Sequence, residues 1–466
     1  MYYGNILISL LFVLCGQPPE TLWTRTIGGK ENDIGYRMVS SSDHSFIIVG
    51  STRSFTNGES DLYLVKVDSS GNLIWHRSFG GPNADAGFSL TCSGDSVYFV
   101  VGYCGSSHQN NDVWLLKVDA EGESLCSWFY GGDEDDEGMD IIPAKEGGYL
   151  ILASTYSFGS GSRDIYLIRI DSNGDTLWTK TYGGSSYDVA YEIQPTYDNG
   201  YVIVGCTYSE GNGLSDVYLI RLNVDGDTLW TRTYGGEEFE CGYSIKECPD
   251  SGFILVGFKR SIQQPVNYYS IYIVRTDRWG DTLWTVTHGG EWDAYARWVQ
   301  VVNDEEAVIV GARTVMQTLD WNIYLLKIDR TGKIIWKKIL GGYENDEGYQ
   351  LRVIPDGGYI IVGRTSSFGA GKFDVYLIRM KSEIGIEDEE RQRPLQFLIY
   401  PNPAHRLINL DLPSNVQSLT LFDASGRLIH QLSPSPHLRL ILPPGIYFLK
   451  IKTPFEIKTE KLVVVR

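Results

Sequence analysis

Apolar residues in this chain come in short runs in which Ile, Val, Leu and Tyr occupy odd and even positions alike, as in "GGYIIVG" (357–363) and "DVYLIRM" (374–380). Short runs of this kind predict β-strands, and apolar residues on both parities predict sheets that are covered on both faces. Turn sequences such as "DSSG" (68–71) separate the runs, because Asp caps a tight turn and Gly adopts positive φ. The pattern therefore predicts an all-β protein.

The same set of segments recurs along the chain. The phrase "GDTLWTRTYGG" (226–236) is nearly repeated at 174–184, and its Gly-Gly pair returns in steps of 51 to 54 residues. The pairs begin at Gly28, Gly80, Gly131, Gly183, Gly235, Gly289 and Gly341, and follow Trp23, Trp75, Trp128, Trp178, Trp230, Trp284 and Trp336. Each period holds four strand-like segments, which is the content of one β-propeller blade. We therefore predict a seven-bladed β-propeller with four-stranded blades over residues 20–381.

The region 20–381 does not begin and end with complete repeats. It opens with a strand around Trp23 that has no partner before it, and it stops after residues 374–380 with no Trp strand following. If the first strand pairs beside residues 375–380, every blade has four strands and no blade is left incomplete. We predict that the N-terminal strand closes the ring in this way.

The net charge and the N-terminal residues limit the classes of binding partner and indicate how the chain is targeted. A formal net charge of -18 argues against nucleic acids and anionic membranes, which need a basic surface, and favours cations or neutral ligands. The apolar run 6–14 is too short to span a bilayer, so we predict a signal peptide over residues 1–16, although it lacks a basic start, and no transmembrane span in the mature chain. Lipidation at Cys15 is the alternative, but Leu14 stands where a small residue is expected.

Catalytic and metal motifs are absent from the sequence. The other six cysteines have no repeated spacing and form no C-x-x-C pair, so neither a zinc site nor a disulfide framework is indicated, and we expect buried free thiols. No H-E-x-x-H, G-x-S-x-G or P-loop sequence occurs. We assign no catalytic residue, although a glycosidase that needs only two suitably placed acids stays open.

A carboxylate follows each Gly-Gly pair, at the predicted start of the innermost strand. These residues are Asp33, Asp85, Asp136, Asp188, Glu240, Asp293 and Asp346. Seven like charges around one opening would need turn hydrogen bonds, raised pKa values or a bound cation such as Ca²⁺. The favoured interpretation is structural, with each carboxylate accepting backbone N–H groups. Calcium is the alternative, and we predict no other cofactor.

The fifth and sixth repeats depart from the others in the loop between their second and third strands. Their loops read "SIQQPVNYYS" (261–270) and "TVMQTLDWN" (314–322) where other copies read like "SFGAGKFD" (367–374). In a propeller these loops share a face with the Gly-Gly loops. Aromatic and acidic residues of both kinds of loop therefore predict a site that stacks on sugars or anchors a protein: Tyr268, Tyr269, Trp292, Trp321, Asp320 and Glu291. The alternative is that these aromatics only pack their own loops. Trp298, which aligns with inner-strand residues, is predicted to lie in the core.

Two resemblances to known families add to these predictions. The motif GG-x-x-x-D-x-G-Y with a following Gly-Tyr-apolar strand resembles a secreted bacterial β-propeller repeat family over residues 20–381. After the charged linker 382–396, the segments "YPNPA" (400–404), "DASGR" (423–427) and "PPGIYFLKI" (443–451) resemble the type A C-terminal sorting domain of type IX secretion (Por) substrates, over residues 397–466. Independently, the alternating strands and turns of this tail predict a small Ig-like β-sandwich.

The second resemblance implies a route and a location. It implies recognition by the type IX secretion machinery, export across the outer membrane, and release or attachment at the cell surface, with trimming near the tail. The residues that carry the motif are Tyr400, Pro401, Asn402, Pro403, Ala404, Gly426, Gly445 and Tyr447.

The near-equivalence of the repeats favours a non-catalytic binding or interaction module for glycans or surface proteins. The alternative is an extracellular polysaccharide hydrolase or lyase that acts at the aromatic face of blades five and six. A purely structural component of the cell surface is a third hypothesis, and it predicts no small ligand.

Overall fold

The computed structural model describes residues 17–56, 58–94, 97–105, 110–261, 268–289, 292–315, 319–383, 398–400, 407–411, 418–432, 437–452 and 457–465. The predicted signal peptide, Cys15, most of the linker and Pro401–Ala404 of the sorting motif lie outside these residues. The chain divides into two compact units, Met1–Ser382 and Glu383–Arg466. All regular secondary structure in the described part is β-strand, which confirms the predicted all-β class.

Seven four-stranded antiparallel sheets make up the described part of the first unit. We number them in chain order as sheets 1 to 7. Their first strands are β2 (Asp33–Ser40), β6 (Asp85–Ser93), β10 (Asp136–Pro143), β14 (Asp188–Pro195), β18 (Phe239–Glu247), β22 (Ala294–Asn303) and β26 (Asp346–Val353). The second strands are β3 (Phe46–Thr52), β7 (Val97–Gly105), β11 (Tyr149–Thr155), β15 (Tyr201–Thr207), β19 (Phe253–Arg260), β23 (Glu306–Thr314) and β27 (Tyr359–Thr365).

The third and fourth strands complete each sheet. The third strands are β4 (Asp61–Val67), β8 (Asn111–Asp119), β12 (Asp164–Ile170), β16 (Asp216–Leu222), β20 (Tyr269–Thr276), β24 (Trp321–Asp329) and β28 (Asp374–Met380). The fourth strands are β5 (Leu73–Phe79), β9 (Ser124–Tyr130), β13 (Thr176–Tyr182), β17 (Thr228–Tyr234), β21 (Thr282–His288), β25 (Ile334–Leu340) and, in sheet 7, β1 (Thr21–Ile27).

Sheet 7 combines the first strand of the unit with its last three strands, as the sequence repeat predicts. Strand β1 pairs antiparallel with β28, from Thr21 opposite Met380 to Ile27 opposite Val375. The predicted pairing of the strand around Trp23 with residues 375–380 is therefore confirmed.

Apolar side chains fill the space between every pair of successive sheets. Between sheets 1 and 2, for example, Val49 of β3 and Leu64 of β4 share one buried cluster with Val100 of β7. Sheet 7 packs against sheet 1 in the same manner, through Ile360 of β27 and Ile48 of β3. Second and third strands are consequently buried on both faces, as their apolar sequences predict.

The repeated tryptophans join neighbouring sheets. Trp23 of sheet 7 lies over Gly71, in the hairpin turn between the third and fourth strands of sheet 1, where a Cβ would come within 2.6 Å of the indole. Gly71 has a φ of 78°, so the turn needs glycine for its backbone as well. Trp128 departs from the predicted register, because Cys126, opposite Lys117, takes the place that tryptophan holds in the other copies, and Trp128 lies two residues further on.

The cysteine prediction is wrong in two respects. Cys206 of β15 and Cys241 of β18 form a disulfide between sheets 4 and 5, with a Cα–Cα distance of 4.8 Å. Residue spacing holds no clue to this pair, because the two residues come together only through packing of one sheet on the next. Of the four free cysteines described, only Cys248 is buried; Cys92 and Cys126 are exposed.

The second unit consists of two antiparallel sheets. One contains β29 (Leu398–Tyr400), β30 (Leu407–Asp411) and β33 (His437–Ile441), and the other contains β31 (Ser418–Asp423), β32 (Leu428–Leu432), β34 (Gly445–Lys452) and β35 (Ile457–Val464). Both sheets contribute to one apolar core, which includes Ile408 and Leu440 from the first sheet and Leu421 and Leu449 from the second. Two sheets around a shared core match the predicted β-sandwich.

Candidate functional site at the bulges of the first strands

Every first strand of the first unit carries a β-bulge at the same place. In β2 the pairing register shifts between Gly35 and Arg37, so Tyr36 has no partner opposite it on β3. A bulge re-aims the side chain of the extra residue. The equivalent extra residues of the seven sheets are Tyr36, Phe88, Met139, Tyr191, Tyr243, Arg297 and Tyr349.

The bulge residues of different sheets contact one another. The ring of Tyr36 lies 5.3 Å from that of Phe88 and 5.3 Å from that of Tyr349, and Tyr191 lies 4.8 Å from Tyr243. Centroid distances of 4.5–7 Å are those of favourable aromatic pairs. The bulges of five sheets thus contribute an aromatic surface around the first strands, with Met139 in the third sheet and Arg297 in the sixth.

Arg297 lies between three tyrosine rings. Its guanidinium carbon is 4.4 Å from the ring centroid of Tyr243, 4.8 Å from that of Tyr295 and 5.7 Å from that of Tyr349. Its Nε is buried and has no hydrogen-bond partner among the described residues. We call these four residues the mouth cluster, because they lie toward the end of the first strands at which the Gly-Gly loops enter.

An ion pair lies beside the mouth cluster. Glu347 accepts a hydrogen bond of 2.6 Å from the hydroxyl of Tyr295 and pairs with Arg364. Burial alone would raise the pKa of Glu347, but Arg364 and the Tyr295 hydroxyl outweigh it and lower that pKa. Glu347 balances Arg364, and its charge also acts on Arg297, which has no ion pair of its own among the described residues.

The tyrosines of the mouth cluster stay protonated at neutral pH. Burial raises the pKa of Tyr243, and it raises the pKa of Tyr349 well above the ordinary value of 10.0. For Tyr295, burial and the nearby charge of Glu347 both raise the pKa. The cluster therefore offers neutral hydroxyl groups and one cation.

Charged residues occupy the centre toward which the first strands converge. Arg37 of sheet 1 makes a 2.6 Å ion pair with Asp140 of sheet 3 and donates a 3.1 Å hydrogen bond to the carbonyl of Tyr191 in sheet 4. The Ser89 hydroxyl of sheet 2 also donates to Asp140, at 2.7 Å. One arginine thus connects sheets that are not neighbours in the chain.

Trp298 lies between two cations at this centre. The guanidinium of Arg37 lies 5.0 Å from its ring centroid and the ammonium of Lys246 lies 4.2 Å from it. Burial lowers the pKa of Lys246, and its partner Glu192, at 2.5 Å, opposes that shift. Trp298 is buried, as predicted for a core residue, and it makes cation–π contacts rather than purely apolar ones.

A cleft opens next to the aromatic surface between sheets 1 and 2. It has a volume of about 310 Å³ and is lined by residues that include Tyr36, Phe88, Tyr103 and Arg53. Burial raises the pKa of Tyr103 to about 12. The aromatic surface of the bulges is therefore bordered by open space as well as by packed side chains.

Six of the seven predicted acidic positions share one structural role. Asp188, for example, is fully buried and accepts hydrogen bonds from the amide of Gly184 at 2.8 Å and from the Ser209 hydroxyl at 2.6 Å. The amides of the Gly-Gly loops bind the other members likewise: Asp33, Asp85, Asp136, Glu240 and Asp346. No group of three or more His, Cys, Asp or Glu side chains that could hold a metal ion occurs within the described residues.

Asp293 is not the seventh member of this set. The buried position of sheet 6 is Ala294, the first residue of β22, which lies five residues after Gly289 just as Asp346 lies five residues after Gly341. Asp293 stands one residue earlier, is half-buried, and accepts a 2.7 Å hydrogen bond from the amide of Tyr269. The predicted ring of seven equivalent carboxylates is therefore corrected to six.

The predicted loop aromatics are half-buried rather than fully exposed. Trp321 lies 4.9 Å from Tyr295 and so adjoins the mouth cluster. Tyr269 packs on Phe258 at 5.2 Å and under Arg260 at 5.2 Å. Tyr268, Trp292 and Asp320 are also half-buried, and Glu291 lies outside the described residues.

The motif residues of the second unit have structural partners where they are described. Gly426 has a φ of 83° in the turn between β31 and β32, and Gly445 begins β34. Tyr447 is buried and donates a 3.0 Å hydrogen bond to the carbonyl of Pro443. Tyr400 ends β29.

Sequence reasoning missed the mouth cluster. The tyrosine of the G-Y motif was recognised as a repeated residue, but the bulge that turns it out of the sheet has no local sequence marker. A usable clue is "YARW" (295–298), which places Arg297 where the aligned residue of the other copies is Tyr, Phe or Met.

The first unit consists of repeated four-stranded sheets that resemble β-propeller structures. Puromycin hydrolase is similar at 12% identity and a TM-score of 0.49, covering 91% of this chain and 59% of its own. Polysaccharide lyase Uly1 is similar at 8% identity and a TM-score of 0.47, covering 77% and 90%. The β-propeller domain of the Trilobed protease from Pyrococcus furiosus is similar at 10% identity and a TM-score of 0.43, covering 78% and 99%.

The second unit has a family match. Residues 398–465 match the secretion system C-terminal sorting domain. This domain supports export by type IX secretion and indicates secretion with attachment at the cell surface or outer membrane. No helix long and apolar enough to cross a membrane occurs in the part of the chain that the structure describes.

One curated protein shares part of the sequence. The regulatory protein FlaEY of Caulobacter vibrioides is 28% identical over 182 residues, which cover 34% of this chain. The match spans 19% of the length of FlaEY.

Proposed function

We propose that the first unit is a seven-bladed propeller, closed by the pairing of β1 with β28, that acts outside the cell as a binding module. In this proposal, residues 1–16 are a signal peptide, 20–381 the propeller, 382–396 a linker and 397–466 the sorting domain. The ligand site is the mouth cluster, and the ligand is an acidic sugar residue of a glycan.

The observation that carries the proposal is Arg297. Within the part of the chain that the structure describes, it is a cation without its own ion pair. It is held between three aromatic rings, at a position that is aromatic or Met in the other sheets. A guanidinium binds a carboxylate through two parallel hydrogen bonds, and tyrosine faces and hydroxyls suit a sugar ring. The net charge of -18 describes the whole chain and does not oppose a local cationic site.

The protonation states favour binding over catalysis. A lyase needs a base near the acidic sugar, but the raised pKa values of Tyr243, Tyr295 and Tyr349 keep these hydroxyls protonated. A glycosidase needs a protonated carboxyl group as its acid, but the pKa of Glu347 is lowered by its partners. The alternative of a polysaccharide hydrolase or lyase at sheets 5 and 6 is therefore a second hypothesis, which the same experiment tests.

The test measures binding of the full chain to polygalacturonate, alginate and neutral laminarin. Arg297→Ala is expected to weaken binding of the acidic polymers by at least about tenfold, the value of a lost charge-assisted hydrogen bond. Arg330→Ala is the matched control, because Arg330 is an exposed arginine in a hairpin turn at the opposite end of the sheets. Equal binding by wild type and Arg297→Ala, or no binding of acidic polymer at all, would contradict the proposal. Unsaturated or reducing ends that form with wild type but not with Arg297→Ala would establish the enzymatic alternative.

A further inference from the structure

Two clefts of nearly equal size lie between neighbouring sheets at the end of the first unit that is opposite to the mouth cluster. The cleft between sheets 4 and 5 has a volume of about 630 Å³, and the cleft between sheets 5 and 6 has about 640 Å³. A third-strand arginine pairs with a turn aspartate in both: Arg221 with Asp198, and Arg275 with Asp250. Because this arginine–aspartate pair occurs in both clefts, we assign it a structural role. The residues that differ between the clefts are therefore the candidates for binding a ligand.

The cleft between sheets 4 and 5, which we call the aromatic cleft, carries two exposed aromatic side chains. Tyr197 is 67% exposed and Trp279 is 56% exposed. The corresponding positions of the other cleft are Pro249 and Thr331. Trp279 precedes the glycine of a hairpin turn, where other copies have polar residues such as Asn173. A tryptophan at this exposed turn buries little area, so packing does not account for it.

Neighbouring groups fix the backbone at Tyr197 and contact the ring of Trp279. Glu247 accepts a 2.7 Å hydrogen bond from the amide of Tyr197, and Val301 takes the equivalent place in the other cleft. The guanidinium of Arg278 lies 4.8 Å from the ring centroid of Trp279. A surface whose aromatic groups are positioned in advance loses less entropy when a ligand binds.

We propose that the aromatic cleft binds a neutral saccharide, with sugar rings packed against Trp279 and Tyr197. Around these rings the carboxylates of Asp198 and Glu247 balance the guanidiniums of Arg221 and Arg278. Sugar hydroxyls both donate and accept, so they can satisfy both kinds of group. An apolar peptide would leave these groups without partners, at a cost for each group that it desolvates. The equal numbers of opposite charges favour a neutral sugar over an acidic one.

Calorimetric titration of the full chain with neutral oligosaccharides tests this proposal. The probes are hexasaccharides of cellulose, laminarin, mannan, xylan and chitin. At least one is expected to bind, Trp279→Ala is expected to weaken it by about tenfold, and Trp279→Ala with Tyr197→Ala to abolish it. Thr331→Ala, in the cleft between sheets 5 and 6, is the matched control and is expected to bind like wild type.

Two results would overturn the proposal. One is the absence of binding by any hexasaccharide at millimolar concentration. The other is binding that the double variant retains, which would place the sugar elsewhere. Since Trp279 and Tyr197 are exposed, their variants should keep the wild-type unfolding curve, so loss of binding would not reflect unfolding. Hexasaccharide binding is also expected to survive Arg297→Ala, so failure here and failure of the acidic-glycan site are separate outcomes.

Discussion

Replacing Asp374 by asparagine is expected to stabilise the protein at neutral pH. Asp374 begins β28 and meets Asp33 of β2 across Gly28, where an added Cβ would overlap Asp374 and lie 2.8 Å from Asp33 Oδ2. Both carboxylates are buried. Asp374 Oδ1 has no hydrogen-bond partner among the described residues, whereas Oδ2 accepts a 2.7 Å bond from the amide of Ala370. Burial, assisted by the charge of Asp33, raises the pKa of Asp374.

The size of the effect follows from two opposing contributions. Two charges about 5 Å apart repel by about 3 kcal/mol at an effective dielectric constant of 20. Asparagine keeps an acceptor oxygen for the amides of Ala370 and Gly371, but a neutral acceptor forfeits about 1 kcal/mol at each of them. The expected net gain is about 1 kcal/mol in the free energy of unfolding. Asn322 already occupies the equivalent place beside Asp346 in sheet 6.

The stability gain from Asp374→Asn is expected to depend on pH. Because the folded-state pKa of Asp374 is raised, the charge destabilises the wild type fully above that pKa. The penalty declines as the pH falls through that pKa and disappears below 3.8. The gain from Asp374→Asn should therefore be largest near pH 7 and vanish in acid. Urea unfolding followed by tryptophan fluorescence measures it for the first unit alone, because all 12 tryptophans lie between residues 23 and 336.

The reverse substitution is the matched control. Asn322→Asp places a second charge beside Asp346 and is expected to destabilise the protein by a similar amount near pH 7. Asp374→Ala removes the same repulsion but leaves the amide of Ala370 without its acceptor, so it should not be stabilising. An Asp374→Asn variant that is less stable than wild type at pH 7, or whose gain is unchanged in acid, would refute the repulsion argument.

Three further predictions concern the contacts between sheets. Replacing Cys206 and Cys241 by serine should lower the free energy of unfolding by about 3–4 kcal/mol, since the disulfide closes a loop of 35 residues, and Cys126→Ser is the control in the same urea assay. Trp178→Ala should cost about 3 kcal/mol because it uncovers the turn at Gly226, whereas exposed Trp279→Ala should change stability by less than about 0.5 kcal/mol. Asp188→Ala should cost about 2–4 kcal/mol by leaving two half-buried donors unpaired. Calcium should not raise the wild-type melting temperature; a calcium-dependent rise that Asp188→Ala abolishes would show that these carboxylates bind metal.

The sequence predicted the features that depend on local patterns. The apolar runs and the turns with Asp and Gly were enough to predict four strands per period. The point at which the repeat begins and ends was enough to predict the pairing of β1 with β28. Features that depend on a one-residue shift were missed. Asp293 was aligned with the buried carboxylates although Ala294, one residue later, holds their position. Trp128 was aligned with the other tryptophans although Cys126 takes their position. The bulge at Arg297 and the disulfide between β15 and β18 arise from contacts between chain segments that no short motif records.

The residues proposed to bind ligands stand at positions where the equivalent residues of the other sheets are of a different type. Trp178 and Trp279 illustrate the distinction: the first belongs to a set that packs over a turn glycine in sheet after sheet, while the second stands alone on an exposed turn of sheet 5. Arg297 likewise replaces an aromatic or Met residue in one sheet only. A residue that every sheet needs must serve packing, because packing is what every sheet shares. The mouth cluster and the aromatic cleft both include residues of sheet 5. The proposed binding sites therefore lie where the repeat departs from its own pattern, on a framework that the other copies maintain.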